Sequence, residues 1–186
     1  MTVETVSLFY ALLALAANAF VLVVVGLAVS GRLHLTRSAV APIALPAAFT
    51  VAVLATAGSL YFSEVAHFEP CRLCWYQRIA MYPLVVILAV AGWRRDAGIW
   101  RYVLAIAGIG ILISGYHYAL EWLPWLDSGA CSADVPCTLV WFRQLGFISL
   151  PYLALSAFAL IISLVWLGRP PSVESDREAL DRGPGR

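Results

Sequence analysis

EPCRLCWYQRIAMYP, Glu69 to Pro83, sets two cysteines, Cys71 and Cys74, at the mouth of an apolar run that continues to Trp93. That run, 75–93, is one of five, the others covering 6–29, 39–62, 102–120 and 147–167. Roughly 20 apolar residues in a helix cross a hydrocarbon core of about 30 Å, so each run is read as a membrane span. Lipid offers no partners to backbone N–H and C=O groups, which makes the spans helical. Composition agrees: of 186 residues, 62% are hydrophobic and 12% charged, lysine is absent, and the mean hydropathy is +0.85. The chain is expected to be an all-α integral membrane protein without a separate soluble catalytic unit. It carries neither a CxxCH haem attachment nor a dinucleotide glycine fingerprint.

Short cytoplasmic loops hold an excess of basic residues. Here Arg32 and Arg37 follow the first run, Arg94, Arg95 and Arg101 separate the third from the fourth, and Arg169 opens the C-terminal tail. The N-terminus is therefore expected outside and the C-terminus in the cytoplasm. The opposite loops carry Glu64 and Glu69 near the first cysteine pair, and Glu121, Asp127 and Asp134 around a second pair, Cys131 and Cys137. Both pairs are expected on one extracytoplasmic face, where disulfides persist. The first run is read as retained rather than as a cleaved signal, because its leading flank has Glu4 and no basic residue, and no small-residue cleavage pattern closes it. The organisation expected is a first helix and cytoplasmic loop at 1–38, a four-helix bundle at 39–167 and a disordered cytoplasmic tail at 168–186.

Paired thiols can give up two electrons and close to a disulfide, which another thiol pair reopens. Cys74 is expected in the first turn of the third span, where free backbone N–H groups favour a thiolate. Arg78, four residues on, shares its helical face. It either stabilises that thiolate, polarises the carbonyl of a bound acceptor or snorkels to headgroups. Pro83 is expected to bend the span. The segment 121–146, with Trp122, Trp125, Trp141 and Phe142, is too apolar for a free loop and is expected on the membrane surface, holding the second pair near the first. Two other readings use the same cysteines. A four-thiolate zinc site is weakened by the C-x5-C spacing and the oxidising face, so no metal is expected. A disulfide-stapled scaffold is weakened because a four-residue CxxC ring staples little.

EPCRLCWYQRIAMYP, then CSADVPC, then GFISLP together resemble the DsbB family of bacterial disulfide bond formation proteins, closest to its BdbC-type branch, over about 62–167. The resemblance implies a DsbB-like four-helix transmembrane bundle, with 6–29 as one additional N-terminal transmembrane helix. It also implies a thiol:quinone oxidoreductase of the bacterial plasma membrane, which reoxidises a soluble thioredoxin-like thiol oxidase (DsbA/BdbD-like) and passes the electrons to ubiquinone or menaquinone. On the family pattern Cys71 and Cys74 are the quinone-proximal pair, with Cys74 touching the quinone. Cys131 and Cys137 are the partner-facing pair, with Cys131 forming the mixed disulfide. Arg78 and His117, the latter in GYHYALE, belong to the quinone site. The chain departs from longer members in its extra helix and in the five residues separating Cys131 from Cys137. A ring that small contributes only about 2 kcal/mol in the chain-entropy picture, so it recloses easily in competition with transfer to the partner. A quinone reductase of the vitamin K epoxide reductase kind is the weaker alternative, since those relatives carry their loop cysteines before the CxxC.

Overall fold

The computed structural model describes residues 2–127, 129, 131 and 135–169. Asp134 and the tail beyond 169 lie outside the described residues. In chain order the helices are α1 (Val3–Val29), α2 (His34–Val40), α3 (Ala44–Leu60), α4 (Arg72–Arg94), α5 (Trp100–Trp122) and α6 (Leu150–Gly168). Among the described residues five helical segments are long and apolar enough to cross a membrane, and they match the five runs, four with slightly wider bounds and the fifth, Leu150–Gly168, starting three residues later. The second is compound. A 3-10 turn, Ala41–Ile43, joins α2 to α3, and a π turn, Tyr61–Val65, carries α3 onward, so the whole segment runs Thr36–Val65. Pro42 sits in the first turn of that joint, where the regular α-helical ladder of α2 gives way to the 3-10 turn. The third span continues through Pro83 as a single helix.

Four spans form the bundle: α3 packs on α4 and α6, and α5 packs on α4 and α6. In lipid, helices associate through close packing and interhelical hydrogen bonds rather than by escaping water, so small residues at the seams matter. Gly110 of α5 shows this: a Cβ there would lie 2.4 Å from the ring of Phe158 on α6, which is fully buried. Leu84 and Leu88 of α4, Val103 and Ala107 of α5, and Ile161 of α6 complete the core. Large apolar side chains elsewhere, among them Leu22, Trp93 and Leu112, face outward as a lipid-facing surface requires.

The additional helix α1 lies along α6. Asn18 fastens it, donating through Nδ2 to the Tyr152 hydroxyl at 2.9 Å and to Ser156 Oγ at 3.0 Å. Nearer its start, Ser7 Oγ accepts from Gln144 Nε2 at 2.9 Å. At the opposite end of the bundle the Arg37 guanidinium donates to the carbonyl of Arg169, drawing together two of the basic segments.

Candidate functional site

Pro70 cannot continue a hydrogen-bonded turn and Arg72 is the first helical residue, so Cys71 becomes the N-cap of α4 with extended backbone (φ −68°, ψ 173°). Its Sγ accepts the Cys74 N–H at 3.4 Å, the role usually taken by a serine or aspartate oxygen. This corrects the sequence expectation: the backbone N–H of the first turn serves Cys71 rather than Cys74. The two sulfurs lie 3.0 Å apart, close enough to share a proton. From α5, His117 reaches the same point. It is 3% exposed, with Nε2 3.6 Å from Cys71 Sγ and Nδ1 3.1 Å from Gln77 Nε2 on α4. With Gln77 donating to Nδ1, the imidazole proton sits on Nε2 and points at Cys71. The Cys71 thiol is drawn well below its ordinary range, first by the hydrogen bond from Cys74 and then by His117, against the opposing effect of burial.

Cys131 and Cys137 are joined as a disulfide with Cα atoms 5.8 Å apart. The two residues differ in burial. Cys137 is 1% exposed and clusters with Cys71, Leu73 and Leu120, whereas Cys131 is only partly buried. Ser132 to Asp134, between them, lie outside the described residues. The segment 121–146 folds partly over the bundle end. Trp141 stacks on Phe68 (centroids 4.7 Å apart, 8° between planes), Phe142 meets Phe62, and Arg143 lies 4.2 Å over Trp122. Trp122 and Trp125 keep the outward exposure expected of a belt. A narrow cleft beside the Cys71/Cys74 pair is bordered by Cys71, Cys74, His117, Glu121 and Pro136, and Glu121 accepts from Ser149 Oγ at 2.5 Å.

On the other side of Cys74 opens a larger, mostly apolar cavity of about 210 Å³ between α3, α4, α6 and α1. Its polar end holds Glu69, Cys74, Gln77 and Arg78. The Arg78 guanidinium donates to the Ser59 carbonyl at 3.2 Å and stacks 5.3 Å over Trp75, so the charge is tied down without a carboxylate. The Tyr82 hydroxyl donates to Ser59 Oγ at 3.3 Å. Of the residues expected at an acceptor site, Cys74 and Arg78 line this cavity and His117 does not. His117 sits behind the dithiol, against Cys71, rather than as an interfacial residue between Tyr116 and Tyr118. Sequence reasoning passed over Gln77, Ser59 and Tyr10. Gln77 at i+3 from Cys74 was the one with a readable signal.

This set of groups suits two-electron thiol chemistry. The apolar cavity with one guanidinium fits a flat, neutral carbonyl acceptor whose reduced form gains negative charge. Cys71, Cys74 and His117 also bring three metal-capable atoms within 4.8 Å of one another, but with Nδ1 accepting from Gln77 and the proton on Nε2 the imidazole has no free lone pair to offer an ion. Cys131 and Cys137, bonded to each other, are not available as thiolates for a four-cysteine cage.

The sequence model of the family described as "Disulfide bond formation protein DsbB" matches residues 41–168. Disulfide bond formation protein C of Bacillus subtilis (strain 168) is 48% identical over 124 residues, covering 66% of this chain and 90% of that protein. A probable disulfide formation protein of Oceanobacillus iheyensis is 47% identical over 115 residues, 61% of this chain and 79% of the relative. Probable disulfide formation protein C 2 of Bacillus cereus (strain ATCC 10987 / NRS 248) is 40% identical over 131 residues, 70% and 90% of the two chains. No solved structure matches the chain.

Proposed function

The chain belongs to the DsbB family of disulfide bond formation proteins, and from that premise we propose that it is a membrane thiol:quinone oxidoreductase that reoxidises a soluble thioredoxin-like partner on the extracytoplasmic face. The observation that carries this reading is the position of Cys74, shared between a thiol pair and an apolar cavity that also holds Arg78.

The relay runs in three balanced exchanges. The reduced partner attacks the accessible Cys131, Cys137 leaves as thiolate, and the partner's second thiol then releases it as a disulfide. The Cys131/Cys137 dithiol next reduces a Cys71–Cys74 disulfide and itself recloses, through Cys137, which is packed against Cys71. A quinone would supply the terminal acceptor, taking two electrons and two protons. In that last exchange Cys74 faces the cavity, and Cys71, held as a thiolate 3.0 Å away, closes the disulfide. His117 keeps the negative charge on Cys71, and Arg78 stabilises charge developing at the acceptor end.

The test is anaerobic quinone reduction by purified protein fed with a reduced thioredoxin-like oxidant. Turnover lost in Cys74→Ser is the expected result. Turnover retained in that variant, or absent with ubiquinone and menaquinone alike in the unmodified protein, overturns the proposal.

A further inference from the structure

The family match begins at residue 41, so α1 lies outside it, yet α1 gives Tyr10, Leu13, Ala14 and Ala17 to the cavity wall. Its two flanks are held differently. Along α6 it is fastened by packing and by the Asn18 hydrogen bonds. Toward α3 the tight contacts gather on Tyr10. Its hydroxyl donates to the Leu54 carbonyl at 3.1 Å, its ring lies where a Cβ on Gly58 would come within 2.6 Å, and it meets the Phe62 ring at 6.0 Å. Further along this seam, Leu13 of α1 and Leu54 of α3 both line the cavity while each remains 38% exposed on the outer surface. At this seam the wall of the cavity is also the lipid-facing surface of the protein.

We propose that the α1/α3 seam is a lateral portal through which the prenyl tail of the quinone passes from the cavity into the bilayer, with Tyr10 as a clasp closing the end nearest the dithiol. The inference rests on the quinone reading above. The cavity, at about 210 Å³, is smaller than the roughly 300–1,000 Å³ that encloses a drug-sized ligand, so it takes a ring and not a long tail. Glu69, Cys74 and Arg78 mark where the ring lies, which directs the tail toward the apolar end. Along α1 that direction runs from Tyr10 to Ala17, about 10 Å at a helical rise of 1.5 Å per residue. Ala14 and Ala17 on α1, with Ala55 on α3, keep side chains short where a tail passes, whereas the space at Gly58 is filled by the Tyr10 ring.

The test compares binding of a tail-less benzoquinone and a long-tailed ubiquinone to the full chain, read as quenching of tryptophan fluorescence, since Trp141 lines the cavity. Leu13→Trp and Leu54→Trp narrow the seam from its exposed rim, and Leu22→Trp, on the outward face of α1 (Leu22 71% exposed), is the folding control. Both rim variants are expected to weaken the long-tailed quinone by about tenfold more than the tail-less one, the size of one overpacking clash. Equal weakening of both quinones, or of neither, overturns the portal while leaving the quinone reading standing. If the unmodified protein binds neither quinone, the quinone reading itself fails and the portal with it.

Discussion

Replacing His117 by leucine removes the imidazole that faces Cys71 while keeping an apolar side chain in a site that is 3% exposed. A hydrogen bond to a charged partner contributes about 1.5–3 kcal/mol, and one pKa unit is about 1.4 kcal/mol. The Cys71 midpoint is therefore expected to rise by about 1–2 units. It does not return fully to the ordinary thiol value, because the Cys74 hydrogen bond, the largest of the causes lowering it, remains. The sign follows from which form is favoured. A lowered pKa keeps the thiolate present at neutral pH and loses it only as pH falls through that lowered value, so the variant loses alkylation rate on the acid side and keeps the same alkaline limit. The assay is the rate of iodoacetamide labelling of Cys71 against pH, read by peptide mass, in reduced protein with Cys131 and Cys137 changed to serine. Gln77→Leu, which frees the His117 ring without removing it, is expected to shift the midpoint in the same direction by less. A midpoint unmoved in His117→Leu refutes the assignment of His117 as the group holding charge on Cys71.

On the proposed relay, Cys137→Ser leaves Cys131 a lone thiolate that opens the disulfide of an oxidised partner, with no second thiol of its own pair to resolve the complex, and a partner complex through Cys131 is expected as a reducible band on a non-reducing gel; trapping through Cys71 would reverse the assignment of the pairs. Arg78→Ala is expected to raise the apparent Michaelis constant for quinone while thiol exchange with the partner continues, whereas an unchanged constant would leave Arg78 as a tie to the Ser59 carbonyl alone. Gly110→Ala puts a methyl 2.4 Å from the buried Phe158 ring and is expected to cost about 1–3 kcal/mol, read as a lowered melting temperature in detergent; an unchanged melting temperature would mean that α5 and α6 stand further apart.

The spans were legible because crossing a bilayer demands a length and a composition that few other structures need. Their ends were less so: Arg72 and Arg94 are helical although polar, since backbone hydrogen bonding does not stop where hydropathy does. The spacing of Cys71, Cys74 and Arg78 was readable as one helix face, yet the thiolate was assigned to the wrong cysteine. The capped sulfur depends on where the helix starts, and Pro70 followed by the first helical residue, Arg72, makes Cys71 the cap. The contact of His117 with Gln77 joins positions 40 apart on two helices, and nothing local in either segment announces it. The place of α1 was only partly marked, because its span is apolar almost all round and the inward face shows only in Ser7 and Asn18, eleven residues apart, whose partners Gln144, Tyr152 and Ser156 lie far along the chain.

The short Cys131–Cys137 ring presents a difficulty for any relay, since easy reclosure expels the partner backward. The same closure also drives the forward exchange. Passing electrons from the Cys131/Cys137 dithiol to the Cys71–Cys74 disulfide requires the small ring to close, so a pair that closes readily is a strong reductant of its neighbour. The acceptor pair is biased the other way. The N-cap hydrogen bond and His117 stabilise the Cys71 thiolate, which favours the reduced form and makes its disulfide the stronger oxidant. Burial adds a positional bias, because Cys137 is buried in one cluster with Cys71 while Cys131 is only partly buried at its edge. On this argument the Cys71/Cys74 pair has the less negative reduction potential, and about 30 mV between the pairs already corresponds to a tenfold preference for a two-electron exchange. Equilibration of each pair, isolated by serine substitution of the other, against glutathione measures the two values. The expected gap narrows in His117→Leu. A more negative potential at Cys71/Cys74 than at Cys131/Cys137 would mean that forward flow is drawn by the acceptor alone and that the ring and the cap contribute no direction.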